Sequence, residues 1–147
     1  MSNKYLELKR KQQEEVNNFP MVFAFSNEQF EEGMKKLGLT VDDTDKVYSI
    51  PGGGFIRKTD SKALTDMLNR HGEEMEKAIA EDTTGENFIY EMFRYELNNH
   101  EYGYTRDITD TLNSLDLTVE DLNNDDRLLK GLNKAKKEII DWYNENN

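Results

Sequence analysis

The chain has 147 residues and no cysteine, and its 30 Asp+Glu outnumber 19 Lys+Arg for a formal charge of −11. This excludes disulfides, thiolate metal sites and a cysteine nucleophile, and disfavours direct contact with nucleic acid or anionic lipid. The length suits one ordinary hydrophobic core, the longest apolar run (Met21 to Phe25) is far too short to span a bilayer, and the N-terminus lacks a signal-peptide core. A single-domain cytoplasmic protein is expected over 1–147, with an N-terminal helix to residue 19, a strand–helix–hairpin part over 20–60 and a helical part over 61–147.

Residues 3–18 read as a charged helix with a thin stripe of Tyr5, Leu8 and Val16. Pro20 separates it from Met21–Phe25, an aromatic-rich strand. Ser26 with Gln29 has the spacing of a capping box, the helix behind it carries Phe30, Met34 and Leu37, and Gly38 is placed to end it. Val47–Ile50, Pro51–Gly54 and Phe55–Lys58 predict strand, glycine turn and strand. Beyond them the spacing predicts a helix over 61–81 with Leu64, Leu68, His71, Met75 and Ile79 on one face. After the loop Asp82–Gly85 comes a helix from Glu86 to about Tyr102, burying Phe88, Ile89, Met92, Phe93 and Leu97. A short helix around Ile108, Leu112 and Leu115 precedes a last one near 125–144, with Leu128, Leu132, Ala135, Ile139 and Tyr143 in register. The expected fold class is α+β: about three strands in one small antiparallel sheet under five or six helices.

Leu37–Asp43 and Leu115–Asp121 echo each other, each placing a Thr before acids after an amphipathic helix. Shared helix-end and N-cap grammar explains this better than a duplication.

No motif asks for an enzyme. Asp121–Asp125 offers oxygen ligands at calcium-loop spacing, but Asp126 stands where the loop needs Gly and Leu132 where it needs Glu. Two histidines without cysteine argue against a transition-metal site, and no cofactor is expected. His71 falls on an apolar helical face and reads as a core histidine. A small hydrolase using His100 with Glu101 is a third possibility, which no motif accompanies. The Pro51–Gly54 turn lacks the following helix, Lys and Ser/Thr of a phosphate loop, although its tip could insert at a partner's surface. The bases of the first and last helices are interleaved with acids, as on solvated, salt-bridged faces.

The charge distribution is more specific. From Glu73 to Asp126 there are 16 acids and three bases, Lys77, Arg94 and Arg106; the remainder has 14 acids and 16 bases. One contiguous segment therefore carries the whole net charge, which favours a basic protein partner. The candidate partner-binding residues are Glu73, Glu74, Glu76, Glu81 and Asp82, then Asp107, Asp110, Asp116, Glu120, Asp121, Asp125 and Asp126.

Lys4–Glu15 followed by Asn18–Ser26, with Gly52–Lys58, Tyr95–Tyr102 and Leu115–Asp121, resembles a family of uncharacterised small proteins from Gram-positive bacteria, their phages and conjugative elements. The resemblance spans most of the chain and implies a context of anti-defence proteins, anti-CRISPR inhibitors among them, rather than an activity. The leading expectation is a non-enzymatic inhibitor whose carboxylates mimic nucleic acid in the basic groove of a host defence nuclease. The alternative is a mobile-element adaptor docking through Tyr90, Tyr95, Tyr102 and Tyr104.

Overall fold

The computed structural model describes residues 3–146. Met1, Ser2 and Asn147, which the sequence assigned to the terminal segments, lie outside them. The class is α+β, with eight α-helices among the described residues and one three-stranded antiparallel sheet. The described chain divides into two compact units: residues up to Lys11 with those from Glu74 onward, and Gln12–Glu73. Two helices, α1 (Lys4–Asn18) and α3 (Ser61–Glu81), contribute residues to both. No helix among the described residues is long and apolar enough to cross a membrane.

In the Gln12–Glu73 unit, β1 (Met21–Phe23), β2 (Val47–Ile50) and β3 (Gly54–Arg57) assemble in the order β1-β3-β2. Val22 pairs with Phe55 and Tyr48 with Ile56, and residues 51–53 form the tight turn expected between β2 and β3. Helix α2 (Asn27–Lys36) starts at Ser26, whose side chain accepts from the Gln29 N–H at 3.1 Å. The Gln29 side chain returns a bond one residue earlier than a capping box requires, to the Phe25 N–H at 2.7 Å. The helix ends at Gly38 (φ +75°), where Leu39 N–H reaches Met34 O; a left-handed residue here closes the last turn. Met34, Leu37 and Phe55 form the buried centre, with Val22, Phe30 and Val47 packed around it.

The other unit is built on α4 (Phe88–Asn99), whose Phe88, Ile89, Met92, Phe93 and Leu97 are all buried, as the periodicity predicts. Facing it is α8 (Asp126–Asn146), with Leu128, Leu132, Ala135 and Ile139 buried. Burying such a side chain stabilises by about 1.5–3 kcal/mol. Tyr5 of α1 joins this core, its ring 5.6 Å from Phe88 and 5.9 Å from Tyr95. Gly131 of α8 passes under the Asp82–Asn87 loop so closely that a Cβ would sit 2.5 Å from Gly85 O.

Three expectations are corrected. In α3 the buried residues are Met67 and His71, while Leu68 is 53% exposed. Adjacent apolar residues one helical step apart leave the face ambiguous, and packing chose the other member. The helix expected over 86–102 is shorter. It stops at Asn99, and Glu101 turns left-handed (φ 59°) into the short α5 (Tyr102–Thr105), which Arg106 (φ 60°) closes. Gly103 of α5 rests on α8, where a Cβ would lie 3.2 Å from Tyr143 and 3.3 Å from Ile139. Finally, α6 (Thr109–Ser114) is followed by a further helix, α7 (Val119–Asn124), that hydrophobic spacing alone does not mark.

Candidate protein-binding surface

The acids of the charged segment are held in three different ways. Asp82 is a buried structural cap. Its Oδ1 accepts from the Thr84 and Gly85 N–H groups at 3.2 and 2.9 Å, and its Oδ2 from Asn87 and Ile89, each at 3.0 Å. Burial pushes its carboxyl upward, but the N–H donors of Ile89, Gly85, Asn87 and Thr84 outweigh it and hold the group below the usual range. Arg127 completes the staple: its Nη1 donates to Ile79 O (3.0 Å) and Asp82 O (2.8 Å), and its Nη2 to Asp125 (2.9 Å).

Asp107 and Asp121 are caps as well. Asp107 accepts from the Thr109 N–H at 2.9 Å and from its hydroxyl at 2.6 Å, and both bonds lower its pKa. Asp121 and Thr118 form a reciprocal capping box at the start of α7, so Asp121–Asn124 is helical, with Asp125 extended behind it, and the stretch is not a calcium loop. Glu74 pairs with Lys11 (3.0 Å), Glu81 with Lys77 (3.9 Å) and Asp125 with Arg127. Of the twelve candidates, these six carboxylates are already engaged.

The other six, Glu73, Glu76, Asp110, Asp116, Glu120 and Asp126, are exposed. None has a side-chain hydrogen bond or ion pair among the described residues. Glu101 joins them; the sequence had placed it only beside His100 as a hydrolase pair. It stands on the left-handed residue that opens α5, which spacing does not reveal. The free acids lie on α3, α6, α7, α8 and the turns next to them.

Bases show the opposite pattern. Lys9 lies 3.7 Å from the buried Glu96 carboxylate and over the Tyr5 and Tyr95 rings. Arg94 and Lys130 pair with Glu138 and Glu86, and Lys137 with Asp141. Lys134, Lys136 and Arg106 cover the rings of Tyr90, Tyr102 and Tyr143. The bases of α8 are thus engaged within the protein, whereas seven acids of residues 73–126 have no partner among the described residues.

The tyrosines divide unevenly. Tyr102 is buried, Tyr95 packs on Tyr5, and Tyr90 is half-buried with its hydroxyl donating to Glu138. Of the four candidate tyrosines only Tyr104, 78% exposed, stands clear of the core. His71 is a core histidine: it is buried, its carbonyl accepts from Gln12 Nε2 at 3.1 Å, and its Nε2 lies 3.3 Å from Glu15. Glu15 in turn pairs with Arg70, whose hydrogen bond is the main reason its carboxyl falls to about 2.

A sequence model for a family of unknown function, DUF7659, matches residues 4–138. No curated protein matches the chain, and no solved structure does.

Proposed function

The chain belongs to the DUF7659 family of unknown function, and from that premise, with no activity to inherit, we propose that it is a binding protein that inhibits a basic partner. Its free carboxylates occupy a Lys/Arg-lined groove that normally takes nucleic acid. The observation that carries this reading is the set of seven exposed acids within Glu73–Asp126 that no cation or N–H neutralises among the described residues, while the three bases of that segment are all engaged, Lys77 and Arg94 in ion pairs and Arg106 over the Tyr143 ring. Unsatisfied carboxylates steer encounter with a positive groove and pair with guanidinium groups there. The context proposed is a mobile element of Gram-positive bacteria, with a host defence nuclease, CRISPR nucleases included, as the target. The adaptor alternative loses ground, since of its four tyrosines only Tyr104 is free to anchor a partner.

The test is a pull-down from host lysate washed in parallel at low and high salt, followed by charge reversal. Retention at low salt and release at high salt supports the reading. Reversing Glu76, Asp110, Glu120 and Asp126 to Lys should weaken binding by about a hundredfold while leaving circular dichroism unchanged, since each exposed pair contributes roughly 0.2–1 kcal/mol. Undiminished binding by that variant sinks the proposal, as does a partner that stays through the high-salt wash.

A further inference from the structure

The Gln12–Glu73 unit holds a second recognition feature, independent of the acidic segment. Strand β1 is an edge of the sheet. Ala24 N–H bonds Gly53 O at 3.1 Å, in register with Val22 opposite Phe55. Hydrogen-bonded pairs alternate along an antiparallel ladder, so Val22 points its polar groups at β3 while Met21 and Phe23 point theirs outward. Phe19 O already takes the Met21 N–H at 2.7 Å. The outer edge therefore offers the Phe23 N–H and C=O and the Met21 C=O, with no strand beside them among the described residues.

A groove of about 440 Å³ opens along this edge, with Met21–Phe23 on one side and Gln29, Glu32, Gly33 and Lys36 of α2 on the other. Glu32 and Lys36 are exposed, and neither has an ion-pair partner among the described residues. Four residues of helix rise about 6 Å, and two residues of strand about 6.7 Å. Alternate side chains of an extended segment thus match the spacing of the two charges.

We propose that this groove binds an extended segment of a partner protein as a fourth strand antiparallel to β1, selecting a basic–apolar–acidic triplet. The order follows from the chain path. Residues 24–26 reverse the chain, so α2 runs back along β1 with Gly33 against Val22. A strand antiparallel to β1 then runs in the direction of α2 and meets Glu32 before Lys36. Its first and third side chains face α2; its middle one faces the opposite side, where Phe23 is 50% exposed. Walls of both signs disfavour a polyanion. A second copy is a poor fit too, because Met21–Phe25 brings no charge to either wall residue. Backbone pairing supplies affinity and alternate side chains supply specificity.

The test uses the full chain and two labelled decapeptides, one with a central Lys-Val-Glu and one with Glu-Val-Lys, both flanked by Ser and Thr. Anisotropy titration should favour the first by about tenfold, from two exposed charge pairs. The double variant Glu32→Lys with Lys36→Glu, at exposed positions that make no hydrogen bond or ion pair among the described residues, should invert the preference. The Phe23 amide should gain hydrogen-exchange protection when peptide is bound. Absence of binding, equal binding of both peptides, or an unchanged preference in the double variant overturns the proposal. Protection of Phe23 that rises with protein concentration alone also overturns it and assigns the edge to a second copy.

Discussion

Replacing Asp82 by alanine removes one carboxylate and abandons four backbone donors. The Gly85 and Ile89 N–H groups are buried and gain no water in exchange, whereas those of Thr84 and Asn87 are partly accessible. Leaving a buried donor unsatisfied costs about 1–3 kcal/mol, so the two buried ones alone imply about 4 kcal/mol, with little added by the other two. That is a large share of the roughly 5–15 kcal/mol that holds a typical domain together. Urea unfolding followed by far-ultraviolet circular dichroism at pH 7 measures it. Asp82→Asn keeps one acceptor oxygen and should fall between. The folded carboxyl lies below its ordinary value, so its contribution is complete above the unfolded pKa of about 3.9 and is lost as pH falls through the lower folded value. The gap between the native protein and Asp82→Ala should therefore hold steady from pH 7 to about 5 and close in stronger acid. A loss under about 1 kcal/mol at pH 7 would refute the capping argument, and so would a gap that widens on acidification.

Further outcomes follow from other sites. Met67→Ala should cost about 2–4 kcal/mol and Leu68→Ala under about 0.5 in the same unfolding assay, because only the first side chain is buried. Lys9→Met leaves the buried Glu96 carboxylate without its cation and should destabilise by about 2 kcal/mol, with Glu96→Gln restoring most of the loss. A carbon-detected NMR titration should place the Glu15 carboxyl near pH 2, and Arg70→Leu should move it up toward the ordinary glutamate range. Gly85→Ala should be among the most damaging single changes, since φ is +86° and a Cβ would sit 2.2 Å from Arg127 O; strain of about 1–3 kcal/mol is the least it would cost.

Much of the local architecture was legible in the sequence because it is written in local chemistry. Ser26 and Gly38 bracket α2, glycines turn the hairpin, and the stripe from Phe88 to Leu97 names the buried face of α4. The echo between Leu37–Asp43 and Leu115–Asp121 also resolves locally. Leu39 bonds back to Met34 as Leu117 does to Leu112, and Thr40 N–H bonds Asp43 as Thr118 N–H does Asp121. What spacing did not reveal depends on tertiary neighbours. Met67 and Leu68 are one residue apart, and only the packed partner decides between them. The break after Asn99 comes where Glu101 turns left-handed, and the short helix behind it packs Gly103 against α8, a contact that spacing does not show. The candidate acids show the same divide. Thr118-x-x-Asp121 has the form of a cap, but nothing near Asp82 says that four N–H groups will converge on it, so charge counting scored it with the free acids.

Two of the free acids, Glu101 and Asp116, stand on left-handed residues (φ 59° and 55°), the conformation that Gly38 adopts without strain at the equivalent turn. Each non-glycine residue there gives up about 1 kcal/mol. A library selected for thermal survival alone should drift to glycine at both positions, and one selected for capture of the basic partner should keep the carboxylates. Divergence between the two populations at those two codons would separate charge that is used from charge that merely solubilises.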